Sequence, residues 1–201
     1  VEIFLRRVAS LPRSEKACLE ALSVLGLSAP DRVAAVAGLD IDETARALDR
    51  LASARLATQD PEGRFGFARS SERDLLLRSL SPQALLALHA RAAQALSEAG
   101  APPEEVARHG LEAGDPRAAE WAVRAGDVLS ARLAFDEAEE FYRRALDRTS
   151  GHARAGILRR LYELERERGN TVAALRYLGW YRALADAAGA RAARAEAAGL
   201  C

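Results

Sequence analysis

Methionine is absent from this chain, lysine occurs once, at Lys16, against 28 arginines, and there are only two cysteines. Cys18 lies on the apolar face of a predicted helix and Cys201 is the last residue, so the pair supplies neither a disulfide framework nor a metal-ligand spacing. We therefore expect a reduced, cytoplasmic protein. The dominance of arginine over lysine, together with abundant alanine, is typical of a GC-rich bacterial genome.

Long apolar segments are missing as well. The chain has no run of about 18 apolar residues and no basic stretch followed by an apolar leader, so the sequence predicts neither a membrane span nor a signal peptide. We expect no membrane partner. Because methionine is absent and the chain opens within a helical pattern at Val1, we expect it to be a piece of a longer polypeptide.

An excess of charge of one sign is also lacking. Residues 1–80 carry 12 basic and 12 acidic side chains, and the remaining residues carry 17 of each. Neither part has the positive field that draws a protein to a phosphate backbone. Bulk electrostatics thus give no indication of nucleic-acid binding.

Motifs for catalysis are absent from the sequence. It has no G-x-x-x-x-G-K-[ST] phosphate loop, no G-x-S-x-G, no H-E-x-x-H and no Cys-His pairing. The histidines, His89, His109 and His152, are scattered on helices, where a packed or hydrogen-bonded role is expected for each. Hence the sequence predicts no enzyme, no catalytic residue, no metal site and no cofactor.

The most informative pattern lies in residues 42–80. Apolar residues at helical spacing lead from Ile41 into two short strands, residues 56–59 and 64–67, which the turn at residues 60–63 connects. Another helix follows directly, and shorter helices precede, one of them capped by Ser14. Asp40 or Asp42 is expected to cap the helix before the hairpin. This order predicts a winged-helix module over residues 1–80.

The remainder, residues 81–201, is helical and is divided by short polar connections. Ser81 and Pro82 form an N-cap and N1 pair that starts the first helix. The predicted helices cover residues 82–99, 103–113, 116–131, 135–148, 151–168 and 171–187. Ala138, Tyr142 and Gly126 have the spacing of a small, aromatic and small residue at the helix crossing of a tetratricopeptide repeat. The predicted fold is thus mainly α: a winged-helix module with one β-hairpin, followed by tetratricopeptide-like helical hairpins.

Two surfaces are candidates for binding. The helix at recognition-helix position carries Asp42, Glu43 and Asp49 as well as Arg46 and Arg50, and those acidic groups oppose approach to DNA. Direct DNA binding is therefore not expected.

In the helical part, the adjacent Trp180 and Tyr181 cannot face the same way on a helix. We expect one of the two at a surface that binds a protein partner.

The order of weak motifs along nearly the whole chain resembles a segment of bacterial STAND-type ATPases, which include transcriptional regulators of the LuxR/MalT kind. The motifs that carry this resemblance are Leu48-Asp49-Arg50-Leu51, Ala54-Arg55-Leu56, Arg64-Phe65-Gly66-Phe67, Arg73-Asp74, Leu80-Ser81-Pro82, Leu88-His89-Ala90-Arg91-Ala92-Ala93, Ala107-Arg108-His109, Ala113-Gly114-Asp115, Ala118-Ala119, Ala125-Gly126-Asp127 and Phe135-Asp136-Glu137-Ala138. In that family a winged helix follows the nucleotide-binding module, and DNA contact usually resides in a separate module. The family's Phe-x-His histidine, which approaches nucleotide, corresponds here to Arg69, so the resemblance implies a nucleotide-proximal arginine.

The sequence hypothesis is a non-enzymatic regulatory fragment. In it, a winged helix couples a nucleotide-binding module to a helical sensor or protein-interaction scaffold. The alternatives are a DNA-binding winged-helix transcription factor with a helical effector domain and a plain repeat scaffold. The ligand, the partner, the regulated process and the oligomeric state stay open at this stage.

Overall fold

The computed structural model describes the backbone of residues 2–198 and the side chains of residues 3–187; Cys201 lies outside this part. Within it the chain is mainly helical, with one small antiparallel sheet, as the sequence predicts at that level. The elements are α1 (Glu2–Ala9), α2 (Arg13–Leu25), α3 (Pro30–Ala37), α4 (Ile41–Ser53), β1 (Ala57–Gln59), β2 (Phe65–Phe67), α5 (Ser70–Ser79), α6 (Pro82–Glu98), α7 (Pro103–Ala113), α8 (Ala118–Ala131), α9 (Phe135–Leu146), α10 (Gly151–Glu167) and α11 (Thr171–Ala198). No helix in the described part is long and apolar enough to cross a membrane.

Two helix starts follow their predicted caps. The Asp40 carboxylate accepts a 2.8 Å hydrogen bond from the Glu43 backbone N–H, and the Ser81 hydroxyl accepts one of 3.2 Å from Ala84. Ser14, in contrast, is not a cap, because α2 begins one residue earlier, after Pro12. Pro12 is the N-cap residue, with ψ at 153°, and gives α2 no side-chain cap hydrogen bond.

The predicted hairpin is confirmed within one residue at each strand. Ala57 pairs with Phe67 and Gln59 with Phe65, and the Asp60 carboxylate closes the turn by accepting a 2.8 Å hydrogen bond from the Arg64 backbone. Gly63 holds φ at 79°, a left-handed value that favours glycine. Ser28, just before α3, adds two backbone hydrogen bonds of 2.8 and 2.9 Å to Phe65. A third short segment therefore extends the hairpin at its edge.

The chain divides into two compact units, and the first consists of Val1–Ala101 and Arg108–Asp115. Its core joins apolar side chains of α2, α3, α4 and the hairpin to Leu88 and Ala92 of α6. The unit thus extends through α6, beyond the predicted boundary at residue 80. Ser81 and Pro82 start a new helix there, but the apolar face of that helix packs on α2 and α3.

The second unit consists of Pro102–Ala107 and Pro116–Cys201. In its described part α8 packs on α9, α10 packs on α11, and α9 contacts α10, so two helical hairpins lie side by side. The predicted small and aromatic pair meets at the first crossing. A Cβ added to Gly126 would lie 2.4 Å from Cε1 of Tyr142, and Ala138 is fully buried.

Candidate functional site

The candidate site is a groove on the second unit, centred on Trp180 and called here the Trp180 groove. It consists of two neighbouring clefts, of about 280 and 310 Å³, that share Arg154 and Trp180. The cationic half is further lined by Arg143, Arg176, Asp147 and Tyr177, and the apolar half by Leu158, Ala183, Leu184 and Ala187. Helices α10 and α11 thus each contribute to both halves.

Helical periodicity explains why α11 contributes this set. Arg176, Trp180 and Leu184 recur every four residues, so they lie along one face of the helix. Trp180 was predicted from the sequence as a surface candidate, whereas Arg176 was not. The i, i+4, i+8 spacing of a cation, an aromatic and a leucine was the signal that could have found it.

Trp180 is held in place although half of it is exposed. Its ring packs edge-on against Tyr177, with centroids 5.5 Å apart and planes at 78°, and 50% of the residue remains accessible. Tyr177 is buried, and its hydroxyl donates a 3.2 Å hydrogen bond to Oε1 of Glu139. Burial, followed by the Glu139 carboxylate, raises the pKa of Tyr177. The phenol therefore stays a proton donor, and the tryptophan rests on a fixed support.

The arginines of the groove are engaged to different degrees. Arg154 donates from Nη1 to the carbonyl of Leu146, at 2.7 Å, and thereby completes the C-terminal end of α9. The Arg176 guanidinium lies over the rings of Tyr177 and Trp180, 5.4 and 5.7 Å from their centroids. Arg143 reaches Glu139 only at 3.8 Å. Arg154 and Arg176 thus contact carbonyls and rings, whereas Arg143 lies near a carboxylate.

An ion-pair network around Arg168 connects to the groove through Glu139, which bonds Tyr177. Arg168 pairs with Asp136, with Glu139 at 3.4 Å and with Glu165 at 3.7 Å, and the Glu165 side chain is only 1% exposed. Burial, followed by the charge of Glu139, raises the pKa of Glu165. Glu139 takes part in this network as well as in the bond to Tyr177. Its carboxylate links Tyr177 of α11 to α9 and α10.

Tyr181 lines a separate cleft of about 420 Å³ with Leu184 of α11 and with His152 and Arg159 of α10. The two adjacent aromatics therefore contribute to different clefts.

Arg69 is on the first unit, directly before α5. Its side chain is 73% exposed and bonds Glu72 in its own helix, at 3.1 Å. Among the described residues, the Arg69 guanidinium has no other hydrogen-bond or ion-pair partner.

On α4, Arg50 forms an ion pair with a residue of another helix. Its Nε lies 2.5 Å from Oε1 of Glu15, a carboxylate of α2 whose side chain is 8% exposed. Arg46, Asp42 and Asp49 remain exposed. Arg50 is also 52% exposed, and its guanidinium supplies the partner that the buried Glu15 carboxylate requires.

A histidine pair in the first unit was not predicted. Nδ1 of His89 on α6 and Nδ1 of His109 on α7 are 3.0 Å apart, so one ring donates and the other accepts. Burial lowers the pKa of His89, and burial together with His89 and Arg108 lowers the pKa of His109 to about 4. No third His, Cys, Asp or Glu among the described residues completes a metal-binding group. The two are twenty positions apart, and no local signal reveals such pairing.

Cys18 is buried in the core of the first unit, and that burial raises its pKa to about 11. The thiol is protonated at neutral pH and is a poor nucleophile.

Comparison of the chain with models of protein families, with curated proteins and with solved structures gives no significant match.

Proposed function

We propose that this chain is a non-enzymatic regulatory segment of a bacterial, cytoplasmic signal-transducing ATPase or transcriptional regulator. In this proposal the first unit is a winged-helix module that receives the nucleotide state of an upstream nucleotide-binding module. The second unit is a tetratricopeptide-like scaffold that binds a protein partner. The segment itself carries no cofactor.

The observation that carries the proposal is the order of elements in the first unit. Four helices precede the hairpin, and Ser28, between α2 and α3, joins β2 through two backbone hydrogen bonds. A short edge segment, two helices, and a hairpin with a tight turn are the elements expected of a winged helix. This order supports the interpretation drawn from the sequence motifs.

The second unit supports the repeat interpretation through the Gly126 crossing. The ring of Tyr142 occupies the space where any larger residue at position 126 would lie, and its hydroxyl bonds Asp127 at 2.7 Å. Arg160 of α10 binds the same carboxylate at 2.8 Å, which connects the first hairpin to the second. A small residue facing an aromatic at each crossing is the packing that lets helical hairpins stack.

The DNA-binding alternative has weaker support. Arg50 is engaged by Glu15, and in the hairpin turn Arg64 bonds Asp60 at 2.7 Å. The exposed Asp42 and Asp49 would have to be carried toward phosphates with Arg46. The alternative of a plain repeat scaffold assigns no role to the first unit.

Two titrations of the 201-residue chain test the proposal against the DNA-binding alternative. We expect no tight binding of Mg·ATP in calorimetry, since a phosphate loop is missing from the sequence. With duplex DNA, we expect only non-specific binding, of about 10⁻⁴ M or weaker at physiological salt. Arg46→Ala should leave that value unchanged. Sequence-selective binding below about 1 μM that Arg46→Ala abolishes would favour the transcription factor instead.

A further inference from the structure

We infer that the Trp180 groove binds a peptide segment of a partner protein in which a carboxylate side chain lies close to an apolar one. This inference rests on the proposed function, because it names the class of ligand that the protein-binding scaffold takes. The charge, the apolar surface and the dimensions of the groove each point to such a ligand.

The charge part rests on Arg176 and Arg154. Among the described residues, neither guanidinium has a carboxylate partner: Arg176 contacts two aromatic rings, and Arg154 bonds backbone carbonyls. The cleft adds Arg143 and a single acidic side chain, Asp147. A cleft with three arginines and one carboxylate has a net positive charge. An exposed guanidinium matches a carboxylate with two parallel hydrogen bonds, so an acidic side chain is the complementary group.

The apolar part rests on Trp180. A tryptophan that is half exposed and braced by a buried tyrosine offers a large rigid surface at little entropic cost. One turn further on, Leu184 and the buried Leu158 continue that surface along the second cleft. An apolar side chain of the ligand would remove this area from water.

The spacing part fixes the arrangement of the two ligand groups. Arg176 and Leu184 are two helical turns apart, which is about 12 Å along α11. An extended peptide covers that length in about four residues. A carboxylate and an apolar side chain within about four positions of each other therefore reach both halves of the groove.

A nucleic-acid backbone fits the groove less well than a peptide. Phosphates repeat along a strand and require an extended row of cations, whereas this cationic cleft is about 280 Å³ and ends at an apolar one.

Peptide titrations of the 201-residue chain test this inference. The probes are a fluorescein-labelled peptide of alternating Glu and Leu and the same peptide with Gln in place of Glu. We expect the Glu peptide to bind at least about tenfold more tightly and to lose affinity as salt rises. Binding should change the fluorescence emission of Trp180. The emission of Trp121 should stay the same, because Trp121 is buried and does not line the groove.

Matched variants on α11 locate the binding surface. Arg176→Gln and Trp180→Ala should each weaken binding of the Glu peptide about tenfold. Arg182→Gln and Leu175→Ala remove exposed side chains of the same helix that do not line the groove, and they should leave affinity unchanged. Circular dichroism of each variant shows whether the helices are retained.

Several results would overturn the inference. Equal affinity for the Glu and Gln peptides would mean that charge is not recognised, and equal effects of groove and control variants would place binding elsewhere. Self-association lost in Trp180→Ala, or tight DNA binding lost in Arg176→Gln, would assign the groove to a second copy or to nucleic acid. Failure with peptides while the ATP and DNA titrations behave as expected would reject this inference and leave the proposed function standing.

Discussion

Substituting Gly126 with alanine tests the crossing of α8 and α9, on which the second unit depends. The added Cβ would lie 2.4, 2.6 and 2.8 Å from three carbons of the Tyr142 ring. Carbon atoms in contact are normally about 3.5–4.0 Å apart, so the ring would have to move by about 1 Å. It is not free to move, because Tyr142 is 3% exposed and its hydroxyl is bonded to Asp127.

The expected magnitude is the difference of two effects. Overpacking of a tight interior lowers the free energy of unfolding by about 1–3 kcal/mol, while the higher helix propensity of alanine raises it by up to about 1 kcal/mol. We therefore expect Gly126→Ala to lower the free energy of unfolding of the second unit by about 1–2 kcal/mol. Gly179→Ala is the matched control, because the added Cβ would meet nothing within 4 Å in α11. It should raise stability by about 0.5–1 kcal/mol.

Urea unfolding followed by tryptophan fluorescence measures this prediction. Both tryptophans, Trp121 and Trp180, belong to the second unit, so the signal reports that unit. In a Tyr142→Ala background the added methyl has room, and Gly126→Ala should no longer destabilise. Equal changes in the free energy of unfolding for Gly126→Ala and Gly179→Ala would refute the close packing of Gly126 on Tyr142. An unchanged effect of Gly126→Ala in the Tyr142→Ala background would refute it as well.

Three further predictions concern packing and titration. Ala138→Leu should overpack its buried site and cost about 1–3 kcal/mol in urea unfolding, whereas Glu140→Ala, on the exposed side of α9, should be near neutral. Glu139→Ala should cost about 1–3 kcal/mol, because Arg168 and Tyr177 lose their shared carboxylate; a value equal to that of Glu140→Ala would contradict the network. The folded-state pKa of His109 lies below its unfolded value. As pH falls from about 6.5 toward 4, the unfolded chain therefore binds a proton that the folded chain does not, and the free energy of unfolding present at pH 7 decreases. An NMR titration of the histidine rings should give it a midpoint near 4, and a midpoint near 6.5 would contradict its burial.

Local chemistry allowed much of the fold to be predicted from the sequence. The Asp60 carboxylate and Gly63 form the hairpin turn by interactions within a few residues, and Asp40 and Ser81 cap helices in the same way. Gly126 was identified because small and aromatic residues keep a fixed spacing in a repeat. Each of these signals lies within a short stretch of chain.

The features that could not be predicted depend on residues far apart in the chain. Arg50 bonds Glu15 across 35 positions and His89 meets His109 across 20, so no window of local sequence contains both partners. The packing of α6 on the core of the first unit could not be predicted for the same reason. A turn signal marks where a helix begins but does not say which core its apolar face joins.

Amide hydrogen exchange of the full polypeptide that contains this chain, with and without ATP, tests the central claim of coupling most directly. The account predicts that the polypeptide binds ATP, and that binding changes exchange in the hairpin and α5, around Arg69, and in α11 beside Trp180. A polypeptide that does not bind ATP, or one that binds it while exchange in these segments stays the same, would contradict the account.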